Sequence, residues 1–120
     1  MSMEISGELQ NKIAQYQQIQ QQLQMISTQK VQISAQLEEI KSTLEELEGL
    51  KKGTPVYKFT GSLLIKVSDM DVLKKDIEES KETSSIKVKS LERQEKQLKE
   101  RFVSLQQEIT QEMQKLQGPA

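Results

Sequence analysis

The sequence contains no cysteine and no histidine among its 120 residues. Without cysteine there are no disulfide bonds and no thiolate ligands for zinc. Without histidine the chain lacks the side chain that most often serves as a general base or metal ligand near neutral pH. We therefore expect a protein that is not an enzyme and that has no cofactor and no metal site.

Long apolar runs are also missing. Only 34% of the residues are hydrophobic and 3% are aromatic. The longest apolar run, Leu63-Leu64-Ile65, is far shorter than the roughly 20 residues that cross a membrane. The opening residues MSMEISGELQ do not contain the apolar region of a signal peptide. These features predict a soluble, cytoplasmic protein that does not bind membranes.

Charge of one sign is not in excess, since 17 basic and 18 acidic residues leave a formal net charge of -1. This balance argues against nucleic-acid binding. Residues 87–101 do hold six cations, which could indicate an anionic partner. A solvated helix face with the pairs Glu92–Lys96 and Glu95–Lys99 is the interpretation that we favour.

The chain is expected to form a single domain over residues 1–120. Its first half repeats apolar residues at alternating spacings of three and four, which predicts a helix over about residues 5–48. This spacing keeps one stripe of a helix facing a partner helix, as in a coiled coil. Eleven of the thirteen stripe positions are apolar. The stripe consists of Ile5, Leu9, Lys12, Tyr16, Ile19, Leu23, Ile26, Lys30, Ile33, Leu37, Ile40, Leu44 and Leu47.

A β-hairpin is predicted directly after this helix. Gly49 and Gly53 are expected to end the helix in left-handed conformations, and Pro55 prevents it from resuming. The residues PVYKFTGSLLIKV that follow are rich in β-branched and aromatic side chains. We predict strands at 56–59 and 63–67, joined by the loop Thr60-Gly61-Ser62, within a hairpin of about residues 55–67.

A second long helix is predicted from about residue 69 to about residue 116. Ser68, Asp69 and Asp71 supply capping oxygens and negative charge at its start, so the helix should begin near Met70. Gly118 and Pro119 are expected to end it. A stripe with the same spacing consists of Ser84, Val88, Leu91, Glu95, Leu98, Phe102, Leu105, Ile109, Glu112 and Leu116.

The two helices should fold back on each other in an antiparallel coiled coil, because a short hairpin joins them. Facing residues then have numbers that add up to about 121. This register pairs Leu98 with Leu23, Phe102 with Ile19, and Leu105 with Tyr16. It also brings Lys30 close to Glu95 and Lys12 close to Glu112, and we expect both pairs to form across the seam.

The hairpin is too small and too apolar to be stable by itself. Its six large apolar residues represent on the order of 10 kcal/mol of burial, at about 1.5 to 3 kcal/mol each. Only other subunits can supply that burial, so we expect hairpins to join in a multi-subunit sheet or barrel. These residues are Val56, Phe59, Leu63, Leu64, Ile65 and Val67.

The free ends of the helices carry a further apolar group, and terminal turns fray. Splayed ends would present an adaptable surface that suits binding to many partners. A solvated, glutamine-rich helix face is the simpler interpretation of the neighbouring residues 9–29, in which Lys12 is the one charged residue. The group consists of Ile5, Leu9, Ile13, Tyr16, Leu105, Ile109, Met113 and Leu116.

The residues VYKFTGSLLIKVSDMDVL and SLERQEKQLKERF resemble the β-type subunits of prefoldin, an ATP-independent co-chaperone. The resemblance covers most of the chain, and one hairpin instead of two is typical of the β type. It implies a mainly α fold in which two helices of a coiled coil are joined by one hairpin. It also implies a hexamer of two α-type and four β-type subunits, whose hairpins form a β-barrel platform.

The resemblance further implies a function. The ends of the coiled coils would hold unfolded polypeptides and deliver them to a group II chaperonin, with the apolar group at the helix ends as the client-binding residues. A structural coiled-coil adaptor with one fixed protein partner is the alternative. The platform residues implied for this chain are Val56, Tyr57, Phe59, Leu63, Ile65 and Val67.

Overall fold

A computed structural model describes residues 6–117 of the chain. Helix α1 spans Gly7–Glu48, strands β1 and β2 span Tyr57–Thr60 and Leu63–Lys66, and helix α2 spans Met70–Gln117. The predicted fold, two long helices with one β-hairpin between them, is therefore confirmed. The chain divides into two compact units, one made of the segments up to residue 31 and from residue 90, the other of residues 32–89.

Helix α1 begins at a serine cap. The hydroxyl of Ser6 accepts a hydrogen bond of 3.1 Å from the backbone N–H of Leu9, an N–H that has no partner within the helix. The first residue of the described helix is Gly7, and the predicted start at about residue 5 lies outside the described residues. Two threonines inside the helix, Thr28 and Thr43, bond back to carbonyl groups four residues earlier.

The end of α1 at Glu48 agrees with the prediction, but the role expected of Gly49 is wrong. Positive φ angles occur only at Gly53 (87°) and Gly61 (61°) among the described residues, so Gly49 is not left-handed. Gly53 belongs instead to a turn in which the N–H of Thr54 donates to the carbonyl of Lys51 at 3.1 Å. A turn with positive φ at its third residue needs glycine there, which explains Gly53.

The two strands pair antiparallel, with Tyr57 opposite Lys66 and Thr60 opposite Leu63. The predicted three-residue loop is therefore wrong, because Thr60 belongs to β1 and the loop consists of Gly61 and Ser62. Positive φ at Gly61 alone is typical of a type II′ turn, which matches the twist of a hairpin. One more bond, from Val67 N–H to the Val56 carbonyl at 2.8 Å, extends the pairing beyond the strands.

Helix α2 begins at Met70, where the capping residues predicted it. The carboxylate of Asp69 accepts hydrogen bonds from the N–H groups of Asp71 and Val72, at 3.0 and 3.2 Å. The helix continues to Gln117, one residue beyond the predicted end. The expected stop at Gly118 and Pro119 lies outside the described residues. Neither helix has, within residues 6–117, a stretch apolar enough to span a lipid bilayer.

The predicted stripe of α1 forms the packed side of the helix. Every stripe position from Leu9 to Leu47 is buried or half-buried, while nearly all other positions of α1 are exposed. In α2 the stripe from Ser84 to Glu112 is likewise buried or half-buried, and the same spacing extends back through Lys81 and Ile77. The most fully buried side chains are Leu9 and Leu105.

The unit formed by the first 31 residues and the residues from 90 onward holds both predicted ion pairs. Lys30 lies 3.0 Å from Glu95, and Lys12 lies 2.5 Å from Glu112. The antiparallel arrangement in this unit follows from these pairs, since residue numbers rise in one helix and fall in the other. Tyr16, which was predicted opposite Leu105, also stacks on Phe102, one helical turn away, with ring centroids 4.5 Å apart.

Candidate functional site

The hairpin places its apolar side chains in water. Tyr57, Phe59, Leu63, Leu64 and Ile65 are all exposed, and Phe59 keeps 80% of its surface accessible. Scattered single apolar residues are normal on a protein surface, but five on eight strand residues are not. Of the six predicted platform residues, only Val56 and Val67 are half-buried.

The two faces of the hairpin differ. Because side chains alternate along a strand, Tyr57, Phe59 and Leu64 share one face, which is aromatic and open. The other face carries Ile65 and Val67, and it borders a recess of about 290 Å³ that is also lined by the first turns of α2, including Val72 and Leu73. The first turns of α2 therefore shield part of one face, whereas the face with Phe59 lacks such cover.

Within residues 6–117 the helix ends are packed together, and the splaying that would expose the apolar group stays a prediction. Leu9 and Leu105 keep only 1% and 0% of their surface accessible, so both are core residues of the two-helix packing. Tyr16, Ile13 and Ile109 are half-buried. The stripe spacing extends to the last turns, where Leu9 and Leu105 are the fully buried residues.

Ion pairs and a hydrogen bond between polar side chains also link α1 and α2 near the free ends of the helices. Lys12 bonds to Glu112 of α2 and also lies 3.6 Å from Glu8 of its own helix. The pKa of the Lys12 ammonium group is raised, mainly because of its hydrogen bond to Glu112. Desolvation of the ammonium group acts in the opposite direction but is the smaller effect. Nearby, the guanidinium of Arg101 donates to the side-chain oxygen of Gln15 at 3.0 Å.

Two of the expected client-binding residues are accessible in this closed state. Met113 and Leu116 keep 40% and 37% of their surface exposed. The structure therefore separates the predicted group into core residues, which would contact another protein only if the helices opened, and accessible ones. Ile5, the remaining member, lies outside the described residues.

A groove that we did not predict lies between α1 and α2 in the unit with both ion pairs. It has a volume of about 420 Å³ and a mostly apolar lining. Met25, which is not a stripe residue, is 63% exposed at its edge. The low charge of residues 9–29 was the sequence signal for this surface. The groove, called here the Gln–Met groove, is lined by Gln22, Met25, Ile26, Gln29, Gln94, Gln97 and Leu98.

Some of the cations in segment 87–101 form ion pairs within this chain. Glu95 lies 3.5 Å from Lys99, as predicted, and 3.0 Å from Lys30. The predicted Glu92–Lys96 pair is not among the ion pairs of residues 6–117. The hydrogen bond from Lys30 lowers the pKa of the Glu95 carboxyl group; desolvation opposes this shift, and the charges of Lys30 and Lys99 add to it.

Comparisons with known proteins agree with the arrangement of helices and hairpin. Residues 10–116 match the family described as prefoldin subunit. The chain is 49% identical over 115 residues to the prefoldin subunit beta of Methanocella arvoryzae, covering 96% of this chain and 90% of that protein. It is 45% identical over 106 residues to the prefoldin subunit beta of Archaeoglobus fulgidus, covering 88% and 90%.

A solved structure is similar along the whole chain. The crystal structure of the prefoldin beta subunit from Thermococcus strain KS-1 superposes with a TM-score of 0.82 at 33% sequence identity. The match covers 98% of this chain and 100% of that one. Both helices and the hairpin are thus included in the likeness.

Proposed function

The chain belongs to the prefoldin subunit family, and from this premise we propose that it is a subunit of an ATP-independent holdase that captures unfolded polypeptides. Membership in the family implies a chaperone role, α-type partner subunits and polypeptide clients. The finer proposal is that the helix ends hold these clients and that the complex delivers them to a group II chaperonin. A cytoplasmic location is part of the same proposal.

The observation that best supports assembly with other subunits is the open aromatic face of the hairpin. Full burial of a large apolar side chain contributes about 1.5 to 3 kcal/mol, so Tyr57, Phe59 and Leu64 together favour association strongly. The strand edges also leave backbone groups free to pair with another hairpin. We propose that the platform residues join a β-barrel in a hexamer of two α-type and four β-type subunits.

The accessible apolar residues at the helix ends support the capture step. Met113 and Leu116 combine a flexible thioether and a branched side chain on an exposed surface, and such surfaces adapt to different partners. Capture by Leu9 and Leu105 requires the last turns to separate. Ile5, Ile13, Tyr16 and Ile109 remain part of the proposed client-binding group.

The experiment uses this chain assembled with an α-type subunit. Several unrelated denatured proteins are diluted into buffer with or without the complex, and aggregation is followed by light scattering. The proposal expects suppression for most clients without added nucleotide. A complex that lacks residues 1–16 and 106–120 should keep its subunit stoichiometry but lose protection; full protection by the trimmed complex would show that the ends are the wrong site.

A structural adaptor with one fixed partner is the second candidate. The closed packing around Leu9 and Leu105 favours it, since a rigid end suits one partner better than many. The scattering experiment separates the two functions. Suppression for unrelated clients supports the holdase, and no suppression for any client supports the adaptor.

A further inference from the structure

One ion pair joins the stripes of α1 and α2 close to the free ends of the helices. Lys12 and Glu112 both occupy stripe positions, and their side chains are only 22% and 26% exposed. Because the helices are antiparallel, the pair lies between the level of Leu9, nearer the free ends, and the level of Leu105. Both leucines are fully buried. The helices therefore cannot separate far enough to expose both leucines unless this pair breaks.

The charges around Lys12 are unbalanced. Its ammonium group lies 3.6 Å from Glu8 of its own helix and bonds to Glu112 of the facing helix. It is also attracted by Glu108, a half-buried residue one turn before Glu112 on α2. Three carboxylates thus share one ammonium group. Without the charge of Lys12, these carboxylates would repel one another across the two helices.

Its position distinguishes this pair from the Lys30–Glu95 pair of the same unit. Stripe residues continue along both helices on either side of Lys30 and Glu95. Before Lys12, by contrast, Leu9 is the one described stripe residue of α1. The terminal turns of a helix open more readily than its middle. Loss of the Lys12–Glu112 pair should therefore free the helix ends, whereas loss of the Lys30–Glu95 pair should leave them packed.

We propose that the Lys12–Glu112 pair is a salt-sensitive latch that keeps the helix ends closed over Leu9 and Leu105. The pair is partly open to water, so dissolved ions weaken its attraction: electrostatic interactions reach about 10 Å in 0.1 M salt but only about 3 Å in 1 M salt. The inference rests on the proposed holdase function, since both leucines belong to the proposed client-binding group. It adds to that function a control over whether the group is accessible.

Salt should act in opposite directions with and without the latch. In the chain that keeps Lys12, screening weakens the attraction between Lys12 and Glu112, so the ends should open as salt rises. In Lys12→Gln only the repulsion among the carboxylates is left, so the ends should be open at low salt and should close as salt rises. A side chain that only filled space would not reverse the effect of salt.

The distance between the helix ends tests the latch directly. Because the chain has no cysteine, Asn11→Cys and Gln111→Cys place two nitroxide labels beside the pair, at exposed positions of α1 and α2. Labelled chains are diluted with unlabelled ones in the assembled complex, and double electron–electron resonance measures the distances at about 0.05 M and about 1 M NaCl. We expect high salt to lengthen the distances in the chain that keeps Lys12 and to shorten them in Lys12→Gln. Salt shifts of the same sign in both, or no shift in the chain that keeps Lys12, overturn the latch.

Two further variants carry the same labels. Lys30→Gln removes an ammonium group from the other ion pair, and it should leave the end distances unchanged. Combined Lys12→Leu and Glu112→Leu replaces the latch by an apolar pair, and this double variant should stay closed at both salt concentrations. Opening in Lys30→Gln equal to that in Lys12→Gln, or salt-induced opening in the double variant, would contradict the proposal. Circular dichroism checks the helix content of each variant.

A last measurement connects the latch to client capture. The probe is a fluorescein-labelled polypeptide kept unfolded by alkylated cysteines, and its binding at low salt is followed by anisotropy. Lys12→Gln should bind it about threefold more tightly, because apparent affinity rises with the fraction of open ends, and the double leucine variant should bind it more weakly. Equal affinities would show that the latch does not control the site. The distances need no client, so they decide on the latch even if no variant binds the probe, a result that would reject the holdase function.

Discussion

Lys30 of α1 donates a hydrogen bond of 3.0 Å to the carboxylate of Glu95 of α2. Both residues occupy stripe positions that would otherwise be apolar, and both are half-buried. Glu95 also lies 3.5 Å from Lys99, so one carboxylate is shared by two ammonium groups. A polar pair within an apolar seam disfavours other registers, because a shifted helix would leave each charge against apolar side chains.

Charge reversal tests this pair. Lys30→Glu and Glu95→Lys should each lower the midpoint of thermal unfolding by several degrees, because each places two like charges together in the seam. The double reversal should recover most of the loss, but not all, since the ammonium group introduced at position 95 would then lie beside Lys99. Circular dichroism gives the midpoints, and a double variant no better than the worse single variant would show that the residues do not pair.

A control for this experiment is Lys41→Glu. Lys41 lies 3.6 Å from Glu38 on the same helix, and both side chains are exposed. Exposed pairs contribute about 1 kcal/mol or less, so this reversal should have little effect on the unfolding midpoint.

The stability of the coiled coil should depend on Glu95 in acid. Its pKa lies below the ordinary value because Lys30 bonds to the charged form. The pair therefore contributes stability above the ordinary glutamate pKa of about 4.3, and this contribution is lost as pH falls through the lowered pKa of the folded state. The difference in unfolding midpoint between the unsubstituted chain and Glu95→Gln should shrink from about pH 6 to about pH 3. A constant difference would contradict the assignment.

Core and surface residues at the helix ends should respond differently to truncation. Leu105→Ala removes a fully buried side chain and should lower the free energy of unfolding by about 3 kcal/mol. Met113→Ala should cost far less stability, because Met113 is 40% exposed and Leu105 is fully buried, but it should weaken client protection. Denaturant unfolding and light scattering on the same samples measure the two effects, and equal stability losses would contradict the difference in burial.

Assembly should depend on the open face of the hairpin. Phe59→Ser removes its most exposed aromatic ring and should weaken subunit association about tenfold or more, since burial of that ring is worth about 1.5 to 3 kcal/mol. Ile86→Ser is the control, because Ile86 is 60% exposed on α2 and not on the hairpin. Native mass spectrometry should detect dissociation in the first variant alone; an intact complex with Phe59→Ser would exclude this face from the platform.

The turn of the hairpin should not tolerate a side chain at Gly61. An added Cβ meets no atom within 4 Å, but the φ angle of +61° is strained for any residue other than glycine. Gly61→Ala should therefore destabilise the hairpin by about 1 to 3 kcal/mol. Gly7→Ala, at a helical position without positive φ, should change stability by about 0.5 kcal/mol or less. Denaturant titration of the complex compares them, and equal effects would show that φ is not the cause.

Much of this arrangement could be predicted from local patterns. The stripe of α1, the cap at Asp69 and the pairs Lys30–Glu95 and Lys12–Glu112 were all anticipated and are present. Each depends on spacing within one helix or on a charge at a stripe position. The resemblance to prefoldin, carried by the hairpin and the segment after it, indicated the family.

Details of the hairpin and of the packing between the two helices were harder to predict from the sequence. The loop is one residue shorter than predicted, because Thr60 pairs with Leu63, and strand patterns do not reveal which residues pair. The stacking of Tyr16 on Phe102 was not predicted either. A numbering rule for the register is too coarse to resolve neighbouring positions on the opposite helix.

The sequence by itself determined the helices, their packed stripes and the presence of an apolar hairpin, because periodicity and capping act within short stretches of chain. Only the tertiary structure decided that Leu9 and Leu105 are core residues and that Ile26 and Leu98 are partly open beside Met25. Burial depends on what the facing helix places opposite each residue. Residues that face each other across the two helices are far apart in the chain, so a pattern within one short stretch cannot predict which of them are buried.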